Sequence, residues 1–114
     1  MLTIEALERF GANTQEGLGR CLGDEGFLLT LVKTVPKDAN FEGLRQAVEA
    51  GDLQRGFECA HALKGVLGNL ALTSLYEPIC TITEALRAGE ERDYGPLLDE
   101  ISRKHAELVA LCEE

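Results

Sequence analysis

Apolar residues recur along most of the chain at intervals of three and four, the spacing of one face of an α-helix. Thr3 is placed to cap a short helix that runs through Phe10 and ends at "GAN". "NTQE", residues 13–16, has the form of a capping box, with Asn13 as cap and Glu16 three residues on. A short helical piece follows before Gly19 and Gly23. Asp24 caps a run carrying Phe27, Leu28, Leu31, Val32 and Val35, which Pro36 breaks at about Val35. The next helix carries Phe41, Leu44, Ala47 and Val48 and ends at "EAGD", where Gly51 is the natural C′ residue and Asp52 the natural N-cap of the following helix. So tight a turn makes the two flanking helices antiparallel neighbours.

After the helix opened by Asp52, another is predicted from about Thr73 to Ala88, with Leu75, Ile79, Ile82 and Leu86 as its stripe. Pro78 is expected to shift its start or bend it. "RAGEERD" forms a loop, and Asp93 or Tyr94 begins a final helix with Leu97, Leu98, Ile101, Leu108 and Leu111 facing inward. No strand-like alternation, repeat or low-complexity segment interrupts this pattern. The expected fold is all-α: an antiparallel up-and-down four-helix bundle with short extra N-terminal helical segments, in a single domain over residues 1–114.

Composition narrows the function classes. Hydrophobic residues make up 45% and charged residues 27%, ordinary for a globular domain, so disorder is not expected. Aromatics are only 5% with no Trp, which leaves a core of Leu, Val, Ile and Ala suited to helix-on-helix packing. The net charge of −9 repels nucleic acid and anionic membrane surfaces, and no basic run offsets it. No stretch approaches 18 apolar residues and "MLTIEALERF" lacks the plan of a signal peptide, so a cytoplasmic location is expected. The initial Met1 favours a free-standing protein over a module of a longer chain. Cys21, Cys59, Cys80 and Cys112 are widely spaced with no CxxC pair, and read as buried free thiols rather than a zinc site.

The helix after Asp52 contains "AHALKGVLGNLAL", residues 60–72, with Gly65 and Gly68 in what reads as its interior. Each such glycine weakens a helix by about 1 kcal/mol relative to alanine. Unrolled at about 100° per residue, Leu53, Gly56, Cys59, Ala60, Leu63, Val66, Leu67 and Leu70 fall on one broad core-facing arc. Gly56 lies on that arc and permits close helix packing. His61 projects roughly 140–150° from its centre. Gly65 and Gly68 lie within about 40° of His61, Lys64 flanks it by roughly 60°, and Phe57 stands one turn before it. The imidazole therefore points outward, a lysine stands one turn away, and the glycines leave clearance for another protein's surface.

General-base catalysis needs a pocket and an orienting carboxylate, which this sequence does not place near His61. Zinc needs several further ligands, and Cys59 points to the core side. Accepting a phosphoryl group needs only an accessible neutral nitrogen, which imidazole offers near neutral pH, and a nearby positive charge. Phosphoryl transfer is mostly positioning and electrostatics, so a partner can supply the rest of the site.

"HALKGVLGNLAL" closely resembles the signature of histidine-containing phosphotransfer (HPt) domains: a His, then Leu-Lys-Gly, often an Asn, and a Gly before an apolar residue. Position by position, the resemblance implies that His61 is the phosphorylated histidine and Lys64 the phosphate-stabilising lysine. Gly65 matches the glycine that leaves room for the partner, and Asn69 the asparagine near the helix end. Ala71 departs from the pattern, standing where the family usually has Gly; its small size is expected to preserve the turn. The upstream segment "LGDEGFLLTLVKTVPKDANFEGLRQAVEAGD" and the downstream helix lengths extend the resemblance over about residues 13–112.

The resemblance implies a carrier that exchanges a phosphoryl group with a response-regulator receiver domain or a sensor kinase. It is not itself an enzyme; no glycine-rich ATP motif is present. It implies no cofactor on this chain and magnesium on the receiver, and a monomer is expected. Phe57 is either a peripheral core residue or part of an apolar docking patch. Gly68 alternatively marks helix packing, and "SRKHAEL", with His105, reads as a solvated face. Two other function classes share the pattern: a helical adaptor that binds a signalling protein without phosphotransfer and, less favoured, a metal-binding bundle.

Overall fold

The computed structural model describes residues 1–113. Among them lie α1 (Ile4–Phe10), α2 (Thr14–Arg20), α3 (Glu25–Val32), a 3-10 turn (Val35–Lys37), α4 (Asn40–Glu49), α5 (Leu53–Asn69), α6 (Thr73–Arg87) and α7 (Gly95–Cys112), with no strand. The fold is the expected helical bundle, with α4 to α7 as its main helices and α1 to α3 preceding them.

Local chemistry sets most of the boundaries. The Thr3 Oγ1 accepts from the Ala6 N–H at 3.0 Å, and the Asn13 Oδ1 accepts from the Glu16 N–H at 3.1 Å. Asp24 caps α3 and Asp52 caps α5 in the same way, each at 3.0 Å. Each cap satisfies an amide that the first turn leaves unpaired. At the α4–α5 turn Gly51 takes φ +77°, the left-handed conformation that glycine adopts without a Cβ penalty. Pro36 ends the α3 run as expected and lies in the 3-10 turn. Pro78 shifts nothing: it stands buried inside α6, which starts at Thr73.

The core is aliphatic. Leu28, Val32, Val35, Leu44, Ala60, Leu63, Leu67, Leu75, Ile79, Ile82 and Leu108 are all fully buried. α5 packs on both α4 and α6, and α6 on α7. Gly56 permits these approaches: a Cβ there would lie 3.3 Å from Val48 Cγ2 and 3.5 Å from Leu86 Cδ1. Several apolar positions behave otherwise than the periodicity predicts. Phe27 is 51% exposed, and Leu31, Val48, Leu97, Leu98 and Leu111 are only half-buried. Of the four free thiols, Cys21 and Cys59 are buried while Cys80 and Cys112 are partly exposed.

The N-terminal segments are tied to the turn that follows α5. The Ser74 hydroxyl donates to the Phe10 carbonyl at 2.7 Å, and the Ser74 N–H to the Gly11 carbonyl at 3.2 Å. The Asn13 N–H donates to the Ala71 carbonyl at 2.8 Å. These bonds set α2 beside the C-terminal end of α5.

Candidate functional site

His61 lies near the middle of α5 and is exposed, on the side opposite Leu63, Ala60 and Leu67. Phe57, one turn earlier and half-buried, stacks on the imidazole with ring centroids 5.5 Å apart and planes 22° from parallel. The Arg87 guanidinium, from α6, covers the Phe57 ring at 4.9 Å from its centroid. Lys64 is half-buried and its Nζ lies 3.9 Å from Glu84 Oε2 on α6. Arg87 Nε donates to both oxygens of the same carboxylate, at 3.2 and 3.4 Å. The imidazole thus stands in a surface ring of alternating charge that spans two helices.

The two glycines beyond it differ. A Cβ on Gly65 would meet no heavy atom within 4 Å, so that position opens onto free space. A Cβ on Gly68 would lie 3.0 Å from Tyr76 Cε1. Gly68 thus packs against the Tyr76 ring of α6, where its small size serves helix packing, and it also lines the groove beside His61. Asn69, the last residue of α5, is exposed; its Oδ1 accepts from Arg20 Nη1 at 3.4 Å, while Arg20 Nη2 pairs with Glu16 at 2.7 Å. His61, Lys64, Gly65, Asn69, Arg20 and Tyr76 line one open groove of about 660 Å³. The neighbouring Cys80 raises the Tyr76 phenol above its usual pKa.

Arg20, Tyr76, Glu84 and Arg87 are site neighbours that the helical pattern of α5 could not name, because α2 and α6 supply them. Unrolling α6 alone puts Glu84 and Arg87 one turn apart on its polar face, the one local hint available.

The other histidine is differently placed. His105 Nε2 lies 2.9 Å from the Pro36 carbonyl, and its ring stacks on Phe41 at 4.1 Å. This corrects the expectation of a solvated face: His105 joins α7 to the 3-10 turn and α4. Cys59 is buried against α4, with Sγ 3.0 Å from where a Gly43 Cβ would be, and burial raises its thiol pKa. Among the described residues no group of three or more His, Cys, Asp or Glu is arranged to hold a metal ion.

The turn after α5 carries a cost. Ala71 takes φ +55°, its N–H bonding the Gly68 carbonyl at 3.2 Å and the Leu72 N–H bonding the Leu67 carbonyl at 3.0 Å. This is the helix-ending pattern that favours glycine at the position of Ala71. The alanine preserves the turn, but in a conformation that disfavours L-residues by about 1–2 kcal/mol. Ala71→Gly is therefore expected to stabilise the fold by about 1 kcal/mol, read as a higher urea midpoint at unchanged m-value.

A family model described as the Hpt domain matches residues 28–113, well over half of the chain. The chain belongs to the Hpt domain family. No curated protein and no solved structure matches it. Hpt domains are the histidine phosphotransfer carriers of two-component phosphorelays, where they interact with receiver domains and kinases. The matched segment contains all of α4 to α7, and with them His61, Lys64, Gly65 and Asn69. α1, α2 and the first turn of α3 lie outside it, so Arg20 reaches this Hpt groove from beyond the matched segment. No helix among the described residues is long and apolar enough to cross a membrane.

Proposed function

We propose that this Hpt domain carries its phosphoryl group on His61, taking it from a receiver phospho-aspartate or a kinase and handing it to a receiver aspartate. The observation that carries this reading is the exposed imidazole of α5, with a lysine one turn on and open space beyond Gly65. It lies inside the segment that matches the family. In the forward step the ring's lone pair forms an N–P bond as the acyl O–P bond of the phospho-aspartate breaks, and the aspartate leaves as carboxylate. Phe57, stacked on the ring, limits its rotation. Lys64, on a flexible four-carbon stem, offers its ammonium to the incoming negative charge. Gly65 lets the partner's surface approach, and Asn69 marks the far end of the contacted face. The receiver brings the magnesium ion, and this chain needs no cofactor of its own.

The test is transfer from a magnesium-loaded receiver domain charged by a small phosphodonor. An acid-labile, base-stable phosphoryl group is expected on the wild type, with label lost in His61→Gln. A receiver that binds both proteins equally well and labels neither favours the adaptor reading instead.

A further inference from the structure

One carboxylate engages both cations beside His61. Glu84 Oε2 lies 3.9 Å from Lys64 Nζ, and the same side chain accepts two hydrogen bonds from Arg87 at 3.2 and 3.4 Å. Arg87 in turn covers Phe57 at 4.9 Å, and Phe57 stacks on His61 at 5.5 Å. The circuit closes along α5, where Lys64 stands one turn after His61. In the bare protein the lysine assigned to the phosphoryl group therefore faces a partner on α6.

Resting on the functional reading above, we infer that Glu84 is a positioning residue that restrains the charging of His61 by holding Lys64 toward α6. An incoming phosphoryl group carries about 1.5–2 negative charges and three acceptor oxygens, a stronger attractor than one solvated carboxylate. The Lys64 side chain is 32% exposed and that of Glu84 58% exposed, so their pairing is weak and reversible. Glu84 makes and breaks no bond itself. As phosphoramidate reacts, the His61 lone pair forms the new N–P bond while the P–N bond to the leaving group breaks, and the protonated nitrogen departs as ammonia. Glu84 sets how readily Lys64 meets that charge.

The experiment charges the full chain with phosphoramidate at low ionic strength and measures the phosphorylation rate constant. Wild type, Glu84→Gln, Lys64→Met and the double variant are compared, with His61→Gln as the blank and circular dichroism as the fold check. Glu84→Gln is expected to charge about two- to fivefold faster, the size of a weak exposed pair. That gain should shrink by at least half in the Lys64→Met background. It should also fade at about 1 M salt, where the screening length is roughly 3 Å. A wild type that labels no more than His61→Gln defeats the relay reading itself. With His61 labelled normally, an unchanged or slower Glu84→Gln overturns the role of Glu84. So does a gain that persists undiminished in Lys64→Met, because the carboxylate then acts by bare repulsion and not through the lysine.

Discussion

Replacing Leu63 by alanine is expected to lower the unfolding free energy by about 2–5 kcal/mol. Leu63 is fully buried on the face of α5 opposite His61, where the helix packs on α4 and α6. Three methyl-sized carbons leave the core, so the cost combines lost burial with a cavity. For a domain of this size the loss is a large share of a total near 5–15 kcal/mol. Denaturant titration of both proteins reads it as a lower midpoint at constant slope. A loss under about 1 kcal/mol would contradict the placement of α5 at the centre of the bundle.

Gly65→Leu should separate stability from function. No heavy atom lies within 4 Å of a Cβ at this position, so the side chain enters solvent and the fold is undisturbed. Leucine is a better helix former than glycine by about 0.8–1 kcal/mol, and thermal or denaturant stability should rise by that amount. Transfer from a charged receiver domain should fall by about 100-fold, the order expected when reacting groups are held an ångström or so apart from their working geometry. Charging by phosphoramidate, which needs no protein surface against α5, should hardly change. A variant that accepts from the receiver at the wild-type rate removes the clearance role from Gly65.

These two residues show why much of the candidate site's geometry was legible in the sequence. Leu63, Lys64 and Gly65 are successive positions of one helix, and a rotation of about 100° per residue sends them to different faces without reference to anything else in the molecule. The caps by Thr3, Asn13, Asp24 and Asp52 are legible for the same reason, since each bonds an amide three residues away. What was not legible lies across helices. The close approach of the Tyr76 ring to Gly68 depends on how α5 and α6 cross. The contact of Arg20 with Asn69 joins residues 49 apart, on a segment that the Asn13–Ala71 hydrogen bond lays against the α5 end. His105 shows the same limit from the other side. Its neighbours Arg103 and Lys104 suggest a solvated face, while the groups that hold its ring, Pro36 and Phe41, are more than sixty residues upstream.

The two histidines therefore predict opposite outcomes in one labelling experiment. Of the chain's 2 histidines, one ring is stacked on Phe57 but exposed, beside a lysine and open space, and the other is stacked on Phe41 with a nitrogen on the Pro36 carbonyl. The wild-type chain, charged with phosphoramidate and digested under alkaline conditions that spare phosphohistidine, should yield the phosphoryl group on the peptide containing His61 and none on that containing His105. A phosphoryl group found on His105, or on no histidine at all, would contradict the central claim.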